Sequence, residues 1–476
     1  MPVWQMVNNT DINDTICAVS TPHGVGGIAV IRISGPGAID VTSKLWKGKD
    51  LRDVPSHTAH LGTLNDHEGE FLDQAVTTVF RAPRSFTGED VVELSVHGSL
   101  YVQQRLVEAL CHNGARLAEP GEFTRRAFLS GKMDLVEAEG IADMLAARTQ
   151  AAHRLAAAQM RGGISDKING LREQLIELAS LLELELDFSE EDVEFASRED
   201  LADKAKAIID EVTRLLATYK AGNAIRNGIP VAIVGNTNAG KSSLLNAILN
   251  EDRAIVSNIH GTTRDVVEDT ITLGGLTFRL LDTAGFRTTD DPVEQLGIAR
   301  SQKAISDASI ILHVLSPDTD NIATAGDALG TLSDASPDTA SAYKFPADKI
   351  VITVHNKSDL RPDVMSSTAK SSKSSVAISA KTGQGLPDLI ALLTTHGRTL
   401  TALQGELAIT NLRHKESLTA ALTAARQTLE ALQSNYPTVL TAQHLRETIS
   451  HLSRLTGAIT DQTLLTTIFT RFCIGK

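Results

Sequence analysis

Apolar residues fall in short, punctuated runs at the start of the chain. Residues 15–34 read as two apolar strands joined by a glycine-rich loop, and Ala75–Phe80 and Val91–Val96 add two strand-like runs bounded by turn residues. Residues 99–113 carry Leu100, Leu106, Val107 and Leu110 at the spacing of one helix face. From Arg125 the texture shifts to Ala, Leu, Glu and Arg, and Leu171, Leu175, Leu178, Leu182 and Leu186 trace an amphipathic helix. The acid-rich stretch Glu183–Asp200 reads as a solvated turn between helices. At Ile229 the pattern changes to strand, loop and helix in alternation and keeps that rhythm to Leu393, which predicts a parallel sheet with crossover helices. Ser316–Asp348 and Arg361–Ser375 interrupt it as polar loops, and helical periodicity returns after Leu400.

These shifts predict a multidomain chain. An α+β domain spans 1–124, a helical domain 125–225 continues at 396–476, and an α/β domain at 226–395 is inserted between the two helical parts. Composition narrows the function classes. No apolar run is long enough for a membrane span, and the N-terminus shows no signal-peptide pattern, so a cytoplasmic protein is expected. The three cysteines, Cys17, Cys111 and Cys473, are too scattered for a disulfide framework or zinc knuckle. A net charge of −13 means that a nucleic-acid partner requires a local basic patch or a second protein. Arg116, Arg125, Arg126 and Lys132 form the densest basic stretch, which could guide a nucleic acid and at least as readily reads as local ion pairs.

The strand Val231–Val234 runs into Gly235-Asn-Thr-Asn-Ala-Gly240-Lys241-Ser242, followed by helical spacing from Ser243 to Leu249. This is the full phosphate-binding loop pattern in its strand–loop–helix context. Its backbone, with Asn238, Ala239, Gly240 and Ser243, is suited to wrapping phosphates. Lys241 is placed to reach the β and γ phosphates, and the Ser242 hydroxyl to bind Mg²⁺. Asn356-Lys357-Ser358-Asp359 follows another apolar strand. Its aspartate can accept from guanine N1–H and the 2-amino group, which adenine does not offer, so GTP is the expected nucleotide. Ser379-Ala380-Lys381 matches the loop that closes over the base.

Asp282-Thr283-Ala284-Gly285 ends a strand as the D-x-x-G element does, with Asp282 on the Mg²⁺ shell through water and the Gly285 amide at the γ-phosphate. Thr263, in the polar loop Thr262-Thr-Arg-Asp265, is the candidate second Mg²⁺ hydroxyl. Phe286 occupies the place where a Ras-like enzyme has its water-orienting glutamine. Glu294 is the nearest carboxylate that could position water, and it reads equally well as a helix-start glutamate. The Asn238 side chain and the loop Ser257–Thr262 supply oxygens that could hold a monovalent cation where an arginine finger would sit, so potassium-stimulated hydrolysis is expected.

Several blocks in register across the chain are similar to the MnmE/TrmE family of tRNA-modification GTPases: Arg32-Ile-Ser-Gly35, Phe86-Thr-Gly-Glu-Asp-Val-Val-Glu93, residues 120–129, Asp282-Thr-Ala-Gly285 and Phe472-Cys-Ile-Gly-Lys476. The resemblance implies an N-terminal tetrahydrofolate-binding domain that forms a homodimer, a helical domain and an inserted Ras-like G domain. It implies a flavoprotein partner of the MnmG/GidA type carrying FAD and NADH. It also implies an aminomethyl-type, carboxymethylaminomethyl, modification at C5 of the wobble uridine of certain tRNAs, with a 5-formyl or methylene tetrahydrofolate supplying the carbon.

Carried over by position, the resemblance assigns folate contacts to Arg32, Glu93, Lys132 and Lys476, and potassium contacts to Asn238, Ser257, Ile259 and Thr262. Mg²⁺ hydroxyls fall to Ser242 and Thr263, and the water-positioning role to Glu294. Asn258, His260 and Gly261 complete the cation loop with backbone, and Cys473 is open to a nucleophilic or a merely lining role. The competing reading is a GTP-switched ribosome or RNA assembly factor without covalent chemistry.

Overall fold

The computed structural model describes residues 13–187, 197–236, 238–253, 269–281, 302–317, 345–360, 374–403, 405–434, 436–460, 462–470, 472 and 475. The chain divides into two compact units, Met1–Leu145 with Ala157–Thr213 and Glu416–Lys476, and Ala146–Ala156 with Arg214–Lys415.

The first unit opens with a seven-stranded sheet built from β1 (Thr15–Val19), β2 (Gly26–Ser34), β3 (Trp46–Lys47), β4 (Thr58–Asn65), β5 (Phe71–Phe80), β6 (Val91–Gly98) and β7 (Ala115–Leu117), in the order β3-β4-β5-β6-β2-β1-β7. Its pairs are antiparallel except β1–β7. Alternation along β2 and β6 sends Ala29, Ile31, Ile33, Val92, Leu94 and Val96 into one core. There they meet Leu106, Ala109 and Leu110 of α2 (Leu100–His112) and Val41 and Leu45 of α1 (Ala38–Leu45). The same period puts Arg32 and its register partner Glu93 on the opposite face. That face has a smaller core of its own, in which Ile16 and Ala18 of β1 pack with Phe86, Ala118 and Phe123 of α3 (Glu122–Leu129).

Helices α4 (Leu135–Ala146), α5 (Gln150–Met160), α6 (Gly163–Asp187) and α7 (Arg198–Ala217) follow. Of the heptad-like leucines of α6, Leu171, Leu175, Leu178 and Leu182 face inward and are buried, and the Leu186 side chain lies outside the described residues. The acidic stretch Glu183–Asp200 overlaps the end of α6 and the start of α7, and its middle, 188–196, lies outside the described residues. Beyond α8 (Tyr219–Asn227) the second unit holds β8 (Ile229–Gly235), α9 (Lys241–Arg253), β9 (Asp269–Leu273), β10 (Leu276–Leu281), β11 (Ile310–Leu315), β12 (Ile350–His355), β13 (Ser375–Ala377) and α10 (Leu386–Leu400).

Its sheet has the order β13-β12-β11-β8-β10-β9, parallel throughout except for β9. Central β8 is buried at nearly every position, as expected for a strand covered on both faces. The loops after β8, β12 and β13 leave the same carboxyl edge of this sheet, where ligands of open α/β sheets bind.

The chain returns to the first unit through α11 (Leu412–Gln433), then α12 (Thr438–Thr456), which packs along α6, and α13 (Gln462–Phe469). Leu465, Ile468, Phe469 and Phe472 share a core with Phe128, Leu135 and Ala138. Gly121 adopts φ +70, and a Cβ there would collide with the Phe469 carbonyl, so only glycine lets α3 start this close to the end of α13. Among the described residues no helix is long and apolar enough to cross a membrane.

Candidate functional site

The phosphate loop sits between β8 and α9, with Asn238 at φ +64 and Gly240 at φ +89. Asparagine tolerates this left-handed backbone better than most residues. At Gly240 a Cβ would overlap the Asn356 amide nitrogen, so the cradle has no room for a side chain. Lys241 opens α9, and its ammonium donates to the Gly235 and Asn236 carbonyls, both at 2.9 Å. Burial lowers its pKa, a penalty that an anionic phosphate offsets. Ser242 and Ser243 are exposed in the first turn of α9, where N–H groups and the helix dipole favour an anion, while Ala239 is buried behind the loop. A glycine cradle, a lysine beside it and an exposed hydroxyl in the first helical turn fit a magnesium-bound nucleoside triphosphate.

Asn356 joins this loop to the base-reading loops. Only 2% exposed, it donates from Nδ2 to the Ala239 carbonyl at 2.9 Å and accepts at Oδ1 from the Ala380 amide at 3.1 Å. One buried amide therefore ties together the loops after β8, β12 and β13. The Ser358 amide donates to the Ile378 carbonyl at 3.0 Å, and Lys357 takes φ +60 to turn the chain. Asp359 and Lys381 are exposed at this edge, Ala380 is half-buried, and Ser379 is fastened to Gln384 and Gly383 by backbone bonds. Ser257, Asn258, Ile259, His260, Gly261, Thr262, Thr263, Asp282, Thr283, Ala284, Gly285 and Glu294 lie outside the described residues.

In the first unit, Arg32 donates from Nε to Glu93 Oε1 at 2.9 Å, with Nη2 at 2.7 Å from the same oxygen. Its guanidinium also lies over two rings, 5.2 Å from the Phe86 centroid and 5.7 Å from that of Phe123. Lys132 is exposed and donates to the Pro83 carbonyl at 2.8 Å, which brings it to the turn that carries Phe86. The C-terminal tail reaches the same neighbourhood. Ser20 Oγ donates to the Gly475 carbonyl at 3.1 Å, just beyond β1, whose Ala18 is the register partner of Arg32. Cys473 and Lys476 lie outside the described residues. A caged cation beside a carboxylate suits an anionic ligand with a flat N–H-bearing ring. The two phenylalanines over this guanidinium are residues that charge-based reading of the sequence passes over, although both stand in the family-like blocks.

The basic stretch resolves into ion pairs. Arg126, 1% exposed, and Arg116 share Asp14 and Glu122, and Arg126 also reaches Glu89 at 3.1 Å. Arg125 lies 3.8 Å from both Glu119 and Glu122. Local pairing, not an open cationic surface, is the role of these three arginines. Burial opposes ionisation of Glu122, yet hydrogen bonds from Arg116, the Glu119 amide and Arg126 hold its carboxyl below the ordinary value; Asp14 is lowered by Arg116 and Arg126 against a similar penalty.

Both folded-state pKa values lie below the unfolded ones. Their stabilisation is therefore present above the ordinary carboxylate range and is lost as pH falls through the folded values. Melting temperatures of the whole chain are expected to drop steeply below about pH 4. Glu122→Gln should lower the melting temperature at neutral pH and flatten that slope. A slope unchanged by the substitution would separate the acid sensitivity from this cluster.

The parallel sheet, its glycine cradle and the loops gathered at its carboxyl edge define the class, a P-loop nucleotide-binding protein. A family model of the MnmE helical domain matches residues 135–473, and one described as the GTP-binding protein TrmE N-terminus matches residues 15–132. The tRNA modification GTPase MnmE of Cytophaga hutchinsonii is 43% identical over 467 residues, covering 98% of this chain and 99% of its own length. Its namesake in Parabacteroides distasonis is 45% identical over 470 residues, covering 97% and 100%. The chain belongs to the MnmE/TrmE family.

Proposed function

We propose that this chain is a GTP hydrolase that works in tRNA modification, and that its target is C5 of the wobble uridine. The observation that carries the GTP reading is Asn356, which locks a phosphate cradle to a loop bearing an exposed aspartate, Asp359. On binding, Lys241 leaves the Gly235 and Asn236 carbonyls for the phosphates, Ser242 and Thr263 offer hydroxyls to Mg²⁺, and Asp359 accepts from the guanine edge. Magnesium held by these residues would supply positive charge to neutralise the phosphates. Asp282 supports that metal through water, Glu294 orients the attacking water, and Asn238, Ser257, Ile259 and Thr262 hold a potassium ion.

Domain bounds of 1–124, 125–225, 226–395 and 396–476 go with this reading: an N-terminal domain that binds tetrahydrofolate and dimerises, a helical domain in two parts, and an inserted G domain. Arg32, Glu93, Lys132 and Lys476 take the reduced folate, and the caged Arg32 beside Glu93 supports that role. The partner is a flavoprotein carrying FAD and using NADH, which also supplies much of the tRNA contact that an acidic chain lacks. The cytoplasm is the expected compartment.

Depletion of the protein should remove C5-substituted wobble uridine from tRNA nucleosides measured by mass spectrometry. The intact gene should restore it, and Lys241→Ala should not. In the purified chain Lys241→Ala should lower GTP turnover by about 100-fold or more, and the unsubstituted chain should turn over faster in potassium than in sodium. An unchanged nucleoside profile would sink the modification role, and equal rates in the two salts would sink the potassium role.

A further inference from the structure

Glu89, Glu122 and Arg126 belong to the blocks 86–93 and 120–129, which the fold brings together. Arg126 Nη1 donates to the Asp14 carbonyl at 2.8 Å and to Glu89 Oε1 at 3.1 Å, while Nη2 donates to Glu122 at 3.0 Å and to the Asp14 carboxylate. The other Glu89 oxygen accepts from Ser34 Oγ at 2.6 Å, on the end of β2. Glu89 is thus held from two sides, by a helix and by a strand.

It in turn holds the turn that precedes it. Ser85 Oγ donates to the Glu89 carbonyl, and the Glu89 amide donates to Thr87 Oγ1 at 3.3 Å. Thr87 Oγ1 lies a further 2.7 Å from Ser34 Oγ in a buried hydroxyl pair. Both neighbours of Phe86 are therefore bonded to the Glu89 backbone, which the Glu89 carboxylate anchors to Ser34 and Arg126, and Phe86 is one of the two rings over the Arg32 guanidinium. The second ring, Phe123, stands on the helix that carries Arg126. A chain of contacts runs from the buried ion cluster through Glu89 to the ring cage.

We propose that Glu89 is a positioning residue for the Arg32 site, fixing the Phe86 turn so that Arg32 and Glu93 are held ready for an anionic ring-bearing ligand of the reduced-folate class. The proposal rests on the folate reading of Arg32. Its physical content is preorganisation. The guanidinium is confined before the ligand arrives, so the ordering cost that a mobile arginine would impose on binding is already met.

Charge counting shows why Glu89 is the place to test this. The cluster holds four carboxylates, of Asp14, Glu89, Glu119 and Glu122, against three guanidinium groups, of Arg116, Arg125 and Arg126. Glu89→Ala leaves a balanced set, with Arg126 still paired to Asp14 and Glu122. It cuts the carboxylate's anchors to Ser34 and Arg126, leaving the turn held only by the Glu89 backbone bonds to Ser85 and Thr87, and it strands no buried charge.

The experiment is equilibrium dialysis of 5-formyltetrahydrofolate against the full-length protein and its Glu89→Ala, Phe86→Leu and Arg32→Ala variants. Glu89→Ala is expected to raise Kd by about tenfold at unchanged maximal occupancy, the scale of a lost desolvated cation–π contact. A merely structural role would instead reduce occupancy at unchanged Kd, which would overturn the proposal. Phe86→Leu keeps an apolar side chain, leaves the ion cluster untouched and should raise Kd similarly, so it decides the matter if Glu89→Ala does not fold. Weakening by Arg32→Ala alone, with the other two at the unsubstituted Kd, would overturn the positioning role and leave the folate reading standing. Unweakened binding by Arg32→Ala would overturn that reading and the proposal together.

Discussion

Asp359→Asn is expected to exchange the nucleotide preference of the chain from guanine to xanthine. Asp359 is exposed at the carboxyl edge of the sheet, just past the left-handed turn at Lys357. Its carboxylate can only accept, which suits the N1–H and the 2-amino group of guanine together. An asparagine keeps one acceptor and gains a donor. Against guanine the donor meets an amino group, whereas xanthine offers N1–H and a C2 carbonyl, one for each half of the amide. Charge-assisted bonds are worth roughly 1.5–3 kcal/mol each. Losing one and weakening the other should cost GTP affinity about 100- to 1,000-fold, while XTP affinity rises above that of GTP. Because Asp359 is exposed, the melting temperature should stay where it is. Competition of GTP and XTP against a fluorescent nucleotide on the full chain reads the exchange. A variant that still prefers GTP would show that another group reads the base.

The nucleotide-binding half was legible because its chemistry is local. The run Gly235–Ser242 places cradle, lysine and hydroxyl within one strand–loop–helix turn, so spacing alone reports them. The leucines of α6 were legible for a related reason, since a helix repeats its face every few residues. Elements without a period escaped. The polar-rich β4 takes its place from its pairing with β5, β3 and β7 are very short, and α1 is only a few turns long.

The Arg32 site shows the deeper limit. Arg32 and Glu93 meet because β2 and β6 pair in one register, and the rings arrive from a turn and a helix elsewhere in the chain. No spacing rule links four positions separated by strand pairing, so only the family resemblance pointed to two of them. The basic stretch was ambiguous in the same way. Asp14 and Glu89, which pair with Arg116 and Arg126, are distant in sequence, so a run of arginines looked alike whether open or neutralised.

Asn356→Asp should disable nucleotide binding at neutral pH and partly recover it in acid. The native amide uses both of its ends, giving a hydrogen to the Ala239 carbonyl and taking one from the Ala380 amide, in a site that is 2% exposed. The aspartate keeps the acceptor but turns the donor into a second oxygen facing a carbonyl. Ionised there, it is a buried charge with no cation against it among the described contacts, a cost of several kcal/mol. GTP affinity at pH 7.5 should therefore fall by about 1,000-fold. Burial raises the pKa of such a carboxyl, because desolvation disfavours its charged form. As pH falls through that raised value the acid regains an O–H, which can donate to Ala239 as the amide did. Affinity at pH 5.5 should then exceed that at pH 7.5 by about tenfold or more. Asn356→Ala removes both bonds without adding charge, so it should lose about 100-fold and show no such pH dependence of its own. Calorimetric titration of GTP at the two pH values separates the cases. If the aspartate variant binds GTP normally at pH 7.5, the three loops do not depend on this amide for their register.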